Sequence, residues 1–215
     1  MKEVLITGGS RGIGKAIANQ LSTGYKVYAP SSKELDVRDS ASIDSYLKQC
    51  GSLHALVCNA GIYYENPIAK HDADEFSKVL DLNLTGAFRS VQQALPLLSS
   101  GSHIILMGSV SAYGNAGAPA YAASKAGMTA MMKSLAPELA QLGITINLVS
   151  PGWVRTDMAQ TLLPSEQAQT MATAGSLLKR FIEPQEVAEL VEFLISDKAN
   201  AISGEVINID AGLMV

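Results

Sequence analysis

The sequence predicts an α/β fold in which an open sheet of about seven parallel strands carries helices on both faces. Short runs rich in aliphatic and β-branched residues alternate with longer helical patterns. The runs are apolar throughout, which is typical of strands that are covered on both faces. A glycine-rich turn, TGGSRGIG at 7–14, follows the first run and opens the first helical pattern. Together these features predict a doubly wound sheet of the Rossmann type that takes up residues 1–215 as a single domain.

Seven runs fit strands and six longer patterns fit helices. The candidate strands are EVLIT (3–7), KVYA (26–29), ELDV (34–37), ALVCN (55–59), HIILMG (103–108), ITINLVS (144–150) and EVINI (205–209). The candidate helices span 12–22, 40–49, 72–98, 119–141, 156–172 and 184–195.

The connection between the second and third predicted strands is unusually short. Only PSSK (30–33) separates them, whereas a crossover between parallel strands needs a dozen or more residues. We therefore expect the helix at this place to be missing or reduced to a turn.

Charge and cysteine content argue against several kinds of partner. The chain has 16 Lys and Arg against 20 Asp and Glu, with a net charge of −4 and no basic cluster, which argues against nucleic acid or an anionic membrane. Cys50 and Cys58 fit neither a metal-ligand spacing nor a disulfide framework. The N-terminal apolar run is too short for a signal peptide, and no run is long enough to span a membrane. We therefore expect a cytoplasmic protein without a metal site.

The turn at 7–14 predicts a phosphate-binding loop. Its glycines permit a tight turn and the close approach of a ligand. The following helix directs free N–H groups and the positive end of its dipole at the same place. Because the loop lies between a strand and a helix, a dinucleotide pyrophosphate is favoured over an ordinary turn. The predicted cofactor contacts in the loop are Gly8, Ser10, Arg11, Gly12 and Ile13.

The end of the second strand favours NADP(H) over NAD(H). An NAD site carries an acidic residue there for the ribose hydroxyls, but this strand ends in APSSK (29–33). Charge and hydroxyl groups suit a 2′-phosphate instead. The residues placed to bind it are Arg11, Ser31, Ser32 and Lys33. Asp36 lies at the end of the third predicted strand (34–37) and is therefore assigned to the adenine, and Val37 beside it is a further predicted cofactor contact.

The remaining strand ends complete the predicted cleft, since carboxyl ends of parallel strands share one edge of a sheet. CNAG (58–61) leaves bare backbone beside a flat ligand, and SPGWVRTDM (150–158) provides a turn followed by a hydroxyl. The cofactor contacts predicted from these segments are Asn59, Ala60, Gly61, Pro151, Gly152, Val154 and Thr156.

Tyr121 and Lys125 lie four positions apart in YAASK, so they share one face of a helix. A tyrosine is a poor acid at neutral pH, but a nearby ammonium favours the phenolate. The small residues between them leave room for a cofactor and a substrate, and both side chains are predicted to contact the cofactor. With the Ser109 hydroxyl, the pair predicts carbonyl reduction in which Tyr121 protonates the oxygen.

The motifs, in this order, resemble the short-chain dehydrogenase/reductase family, and within it the 3-oxoacyl-acyl-carrier-protein reductases. The shared segments cover almost the whole chain and are TGGSRGIG, CNAG, DLNLTGAF, YAASK, SPG, RFIEPQEVA and SGEVINIDAG. The resemblance implies a catalytic set of Asn83, Ser109, Tyr121 and Lys125, in which Asn83 anchors a water that relays protons from Lys125. It also implies a role in fatty acid biosynthesis and a homotetramer, or a dimer, built on helices 72–98 and 119–141. Ser109 precedes Tyr121 by 12 positions, about one fewer than is common in the family, so Ser111 stays a second candidate for the serine role.

The irregular segment 153–180 is expected to cover the substrate as a lid. Its apolar inner side is predicted to consist of Trp153, Met158, Leu162, Leu163 and Met171. An acidic carrier protein would need cations here, and the segment offers Arg155, Lys179 and Arg180.

Three functions therefore stay open from the sequence. The first is an NADPH-dependent reductase of ketones, including 3-oxoacyl thioesters. The second is an NAD-dependent secondary alcohol dehydrogenase, and the third is a non-catalytic NADP-binding sensor. The missing acid at 29–33 argues against the second, and the intact tyrosine–lysine pair argues against the third.

Overall fold

The computed structural model describes residues 1–214 and contains, within them, a sheet of six parallel strands in the order β2-β1-β3-β4-β5-β6. The strands are β1 Glu3–Thr7, β2 Lys26–Tyr28, β3 Leu53–Cys58, β4 Leu98–Met107, β5 Thr145–Pro151 and β6 Val206–Ile209. β2 lies on one side of β1, and β3, the next strand along the chain, lies on the other side of β1. At such a reversal the loops that follow the strands diverge and leave a crevice.

Helices cover both faces of this sheet, as the sequence predicts. They are α1 Gly12–Leu21, α2 Ser40–Leu47, α3 Ala73–Leu80, α4 Gly86–Ala94, α5 Pro119–Gln141, α6 Asp157–Leu162, α7 Glu166–Thr173 and α8 Pro184–Leu194. Successive strand residues enter opposite cores: Leu5 packs with α2, α4 and α5, whereas Val4 and Ile6 pack with α1 and α8. This alternation buries both faces of every central strand and explains their continuous apolar sequences.

The predicted strand ELDV (34–37) does not form, which reduces the expected seven strands to six. Pro30 follows β2 after one residue, and Leu35 N–H donates to the Ser31 carbonyl oxygen in a turn. Too few residues remain to carry the chain around to a strand position beside β2. Leu35 and Val37 are nevertheless buried, because the turn directs both into the core beside α2 and α4.

The predicted helix 72–98 is interrupted. A π-helical stretch, Asp81–Thr85, separates α3 from α4, and a turn of 3₁₀ helix, Leu95–Leu97, ends α4. Pro96 lies in that turn, where its missing N–H cannot continue the α-helical ladder. Leu98 therefore opens β4 and is not part of the helix.

The predicted helix 156–172 also forms as two pieces, α6 and α7. Pro164 forces the preceding residue out of the helical region, and Leu163 accordingly adopts φ −126° and ψ 73°. Ser165 then caps α7 by accepting a hydrogen bond from the Ala168 N–H. By contrast, α5 spans 119–141 as predicted. No helix in the described part of the chain has the length and hydropathy needed to cross a bilayer.

Two buried imidazoles lie side by side on adjacent strands of the sheet. The rings of His54 in β3 and His103 in β4 lie 5.0 Å apart, edge to face. His103 Nδ1 shares a hydrogen bond of 2.9 Å with Thr145 Oγ1, while its Nε2 is buried without a partner among residues 1–214. Burial lowers the pKa of His103 to about 4, and the neighbouring His54 contributes to the same shift.

We expect Gly14→Ala to lower the free energy of unfolding by about 2 kcal/mol or more. A Cβ at this position would overlap the Asn59 side-chain amide and lie 2.5 Å from the Gly8 carbonyl oxygen. Gly24→Ala is the matched control, because a Cβ there would meet nothing within 4 Å, and it should change stability by less than about 0.5 kcal/mol. Urea denaturation of both variants measures the difference, and equal losses would contradict the close packing.

We also expect stability to fall by about 2 kcal/mol as the pH drops from about 7 to 5. In this range the unfolded chain protonates His103 near its ordinary pKa of 6.5, whereas the folded chain, with a pKa of about 4, does not. His103→Asn retains a polar atom for Thr145 but does not titrate here, so it should flatten this dependence. Urea denaturation at stepped pH provides the test, and identical slopes in the two proteins would refute it.

Candidate active site

A long cleft opens at the carboxyl edge of the sheet, at the reversal of strand order between β1 and β3. Its volume is 450 Å³. The cleft is lined by the loops after β1, β3, β4 and β5, by part of segment 32–38 and by one face of α5. The predicted cofactor contacts that line it are Gly8, Ser10, Arg11, Gly12, Ile13, Ser32, Asp36, Val37, Asn59, Ala60, Gly61, Tyr121, Lys125, Pro151 and Thr156.

The loops after β1 and β3 touch at the base of this cleft. Gly8 has φ +65°, and a Cβ on it would lie 2.9 Å from Ala60 Cα. Asn59 bridges the two loops, because its Nδ2 donates to the carbonyl oxygens of Thr7 at 3.1 Å and Gly8 at 3.0 Å. Asn59 therefore holds the loops after β1 and β3 together and also lines the cleft.

The amino end of α1 faces the cleft and suits a pyrophosphate. Its first turn carries no acidic residue, and the backbone N–H groups of this turn have no partner within the helix. Arg11 occupies the N-cap position with an extended backbone and an exposed side chain. The glycines and the free N–H groups of the helix end are therefore suited to binding phosphate groups.

At the end of the cleft formed by residues 32–38, the lining residues differ from those that the sequence predicts. Ser31 is absent from its lining, because Glu34 Oε2 accepts hydrogen bonds from both its N–H and its hydroxyl. Ser32 and Arg38 do line this end, and Arg38 was not predicted. Arg38 binds the Asp36 carboxylate through two hydrogen bonds, of 3.0 and 2.7 Å, and thereby holds the pKa of that carboxyl below its usual range. Contact between Asp36 and the adenine stays a prediction. In the structure the Asp36 carboxylate is paired with Arg38.

A second cavity, the side pocket, adjoins the long cleft and has a volume of 290 Å³. One wall is apolar and is formed by Trp153, Met158 and Leu162. The opposite wall carries hydroxyl and amide groups. Gly152 and Val154, predicted as cofactor contacts, line this pocket and not the long cleft. The residues common to both cavities are Ile13, Gly108, Tyr121, Pro151, Thr156 and Met158.

Tyr121 and Lys125 meet at the junction of the two cavities. The Lys125 Nζ lies 5.5 Å from the centre of the Tyr121 ring and donates a hydrogen bond of 2.7 Å to the Met107 carbonyl oxygen. Burial lowers the pKa of Lys125 to about 8. The protein packed around the Tyr121 hydroxyl raises the pKa of the phenol, and a hydrogen bond with Ser109 lowers it by a smaller amount.

Ser109 begins the turn that follows β4 and faces the side pocket. Its Oγ accepts a hydrogen bond of 3.1 Å from the Ser111 N–H, which fixes the orientation of the side chain. The alternative candidate, Ser111, also lines the pocket, but its hydroxyl oxygen accepts a hydrogen bond from Asn115 Nδ2 at 3.3 Å. Ser109, which lowers the pKa of the Tyr121 phenol, therefore stays the preferred prediction for the serine role.

Asn83 is fully buried in the π-helical stretch between α3 and α4. Its Oδ1 accepts from the Ile62 N–H at 2.8 Å, and its Nδ2 donates to the Ile62 carbonyl oxygen at 2.9 Å. A Cβ on Gly61 would lie 3.6 Å from Asn83 Oδ1 and 3.9 Å from Lys125 Nζ, so all three approach one point. The side chain thus holds the loop after β3 against Lys125.

Tyr63 was not predicted as a site residue, but it lines the side pocket. Its ring packs edge to face on Tyr121, with ring centres 4.9 Å apart. The surrounding sequence, GIYYENP, lacks a glycine-rich or charged pattern that would single out one of its two tyrosines. Only the folded geometry distinguishes Tyr63 from Tyr64.

Comparisons with known proteins agree with this arrangement. A family model described as Enoyl-(Acyl carrier protein) reductase matches residues 15–214. The chain is 37% identical to the 3-oxoacyl-[acyl-carrier-protein] reductase FabG of Salmonella typhimurium, covering 99% of this chain and 97% of the relative. It is 40% identical to the 3-oxoacyl-[acyl-carrier-protein] reductase MabA of Mycobacterium tuberculosis, covering 99% and 92%.

Solved structures show the same fold. A short chain dehydrogenase family protein from Francisella tularensis superposes with a TM-score of 0.90 at 31% identity, covering 99% of this chain and 98% of that one. A variant of actinorhodin polyketide ketoreductase, crystallised with NADPH, also gives 0.90 at 30% identity, covering 99% and 97%. The chain therefore belongs to the short-chain dehydrogenase/reductase family of NAD(P)-dependent oxidoreductases.

Proposed function

We propose that the protein is an NADPH-dependent reductase that converts a ketone into a secondary alcohol. One observation carries this proposal: Tyr121 lines both the long cleft, which begins at the glycine-rich turn, and the partly apolar side pocket. A group at this junction reaches both a cofactor in the cleft and a substrate in the pocket. The FabG and MabA relatives and the NADPH-bound ketoreductase support the same reaction.

Three parts of the long cleft would hold NADPH. The amino end of α1 would bind the pyrophosphate, the backbone of Ala60 and Gly61 would lie beside the adenosine ribose, and Thr156 would bind the carboxamide; all of these groups line the cleft. Arg11 and Ser32 supply charge and a hydroxyl for the 2′-phosphate. The bound cofactor supplies the hydride, and the side chains of this chain manage the proton and the oxygen.

Tyr121 is the proton donor in this proposal. The phenol is protonated at neutral pH, as a tyrosine with its ordinary pKa near 10 already is, and this is the form that an acid catalyst needs during reduction. Ser109 donates a hydrogen bond to the same carbonyl oxygen and so orients it. Lys125, with a pKa of about 8, can exchange a proton near neutral pH and hold the nicotinamide ribose. The water relay from Asn83 stays a prediction.

The side pocket is consistent with a 3-oxoacyl group, because Trp153, Met158 and Leu162 give it an apolar wall for an acyl chain. Support for an acyl carrier protein is weaker. Arg155 is paired with Glu183, and Arg180 with Glu186, so these cations at the predicted lid are partly neutralised. We therefore propose a 3-oxoacyl thioester or a related ketone as substrate, without assigning the carrier.

A single domain with a lid at 153–180, a cytoplasmic location and a homotetramer or dimer stay predictions. α6, α7 and their connections form the proposed lid, and both cysteines are free thiols, in keeping with a reducing compartment. Phe88 on α4 is 41% exposed and is available for a subunit contact on the helices that the family resemblance points to.

We expect Tyr121→Phe to lower ketone turnover by about 10²–10⁴-fold, because only the donating hydroxyl is lost. NADPH affinity, measured by fluorescence titration, should change little, since the ring remains. Tyr113→Phe is the matched control, because Tyr113 is 69% exposed and outside both cavities. A Tyr121→Phe variant with normal turnover would remove this residue from the mechanism.

We expect Arg11→Ala to weaken NADPH binding about tenfold or more while NADH binding changes little, because only NADPH carries the 2′-phosphate. Lys33→Ala serves as the control, because Lys33, which the sequence predicts beside the 2′-phosphate, does not line the cleft in the structure. Fluorescence titration with both dinucleotides provides the measurement. Equal losses for the two cofactors would show that Arg11 does not read the 2′-phosphate.

A further inference from the structure

The Tyr121 ring is contacted by a second aromatic side chain as well as by Lys125. Tyr63, in the loop after β3, approaches it with ring centres 4.9 Å apart and an interplanar angle of 65°. Edge-to-face pairs of this kind contribute about 0.5–1.5 kcal/mol beyond their buried area. A rotation of the Tyr121 ring away from the cavity junction would lose this contact.

Tyr63 is itself fixed by hydrogen bonds at its hydroxyl. The hydroxyl donates to Glu65 Oε2 at 2.7 Å and accepts from Asn115 Nδ2 at 3.2 Å. Asn115 belongs to the loop before α5, so this contact joins the loop after β3 to the loop after β4. The ring of Tyr63 is thus a fixed support and not a freely rotating side chain.

Backbone contacts hold the same two loops together. The Asn66 N–H donates to the Gly117 carbonyl oxygen at 2.8 Å. Gly117 has φ +81°, and a Cβ there would lie 3.0 Å from the Glu65 side chain, so the glycine leaves room for the carboxylate that anchors Tyr63. The two loops therefore form one braced wall of the side pocket, with Tyr63 on its inner surface.

The wall formed by the loops after β3 and β4 also affects the solvation of Tyr121, the proposed proton donor. Removing protein atoms beside the Tyr121 hydroxyl would admit water, and burial is the main cause of the raised pKa of that phenol. Tyr63 packs directly on this ring and lines the same pocket. A smaller side chain at position 63 would leave the Tyr121 ring freer to rotate and more open to the pocket.

We propose that Tyr63 is a positioning residue for Tyr121, which holds the ring at the cavity junction and keeps water from its hydroxyl. The assignment of Tyr121 as proton donor comes from the proposed function. The contact between the Tyr63 and Tyr121 rings does not depend on that function. The positioning role of Tyr63 and the proposed function can therefore be tested separately.

The test compares Tyr63→Leu, Tyr63→Phe and Tyr64→Leu. Tyr64 is the matched control, because it is the adjacent tyrosine, packs edge to face on His71 and is outside the side pocket. For each variant we would measure kcat and KM with acetoacetyl-N-acetylcysteamine, the dissociation constant of NADPH, and the titration of Tyr121 by NMR of [ζ-¹³C]tyrosine. Comparison with Tyr121→Phe assigns the signal.

We expect Tyr63→Leu to lower kcat about 10–100-fold, because small displacements of a reacting group have effects of this size. KM and NADPH affinity should stay within about twofold, and the titration midpoint of Tyr121 should fall as water enters, because burial raises the pKa of this phenol. Tyr63→Phe keeps the ring contact but loses both hydrogen bonds at the hydroxyl, so its kcat should lie between those of Tyr63→Leu and the unchanged protein. Tyr64→Leu should behave as the unchanged protein.

Three results would overturn the proposal: an unaltered Tyr121 titration in Tyr63→Leu, an equal loss of kcat in Tyr64→Leu, or a Tyr63→Phe variant as impaired as Tyr63→Leu. If the unchanged protein reduces no ketone with NADPH, the proposed function fails instead. The NMR titration then still decides whether Tyr63 controls the environment of Tyr121.

Discussion

The site depends on the close approach of two backbone turns, those that follow β1 and β3. Gly8 and Ala60 come so near that a side chain on Gly8 would collide with the Ala60 backbone. Asn59 then joins the turns by donating to the Thr7 and Gly8 carbonyl oxygens. The turn after β1 leads directly into α1, so this contact also fixes the amino end of α1 beside the cleft. The predicted cofactor contacts in these turns are thus positioned by backbone packing and by the hydrogen bonds of Asn59.

Burial sets the acid–base character of the proposed donor. From the sequence, an acidic phenol was expected beside a neighbouring ammonium, as charge attraction would predict. In the structure Lys125 donates to the Met107 carbonyl oxygen, and burial shifts both groups toward their neutral forms. A protonated phenol beside an amine with a pKa of about 8 is suited to giving a proton to an oxygen.

Features that depend on local sequence were predictable, and those that depend on tertiary packing were not. The apolar runs identified every strand that forms, and α5 was predicted with both ends correct. ELDV (34–37) had the composition of a strand, but strand formation needs a neighbour, and the preceding connection was too short to supply one. The approach of Tyr63 to Tyr121 and the pairing of Arg38 with Asp36 arise from loops with no periodic pattern. The sequence locates the site because most of its residues follow predicted strands. It does not reveal Tyr63 and Arg38, whose roles come from contacts with neighbouring side chains.

The absence of a strand at 34–37 leaves β2 as the outer strand on that side of the sheet. An open edge of this kind offers unpaired amide groups to another molecule and is a common starting point for aggregation. Here the edge is only three residues long, it begins with the exposed Lys26, and Pro30 stands just beyond it. A charged residue, a short strand and a nearby proline all hinder the addition of a foreign strand. The shortening that removed one strand from the sheet has therefore left an edge that resists intermolecular β-pairing.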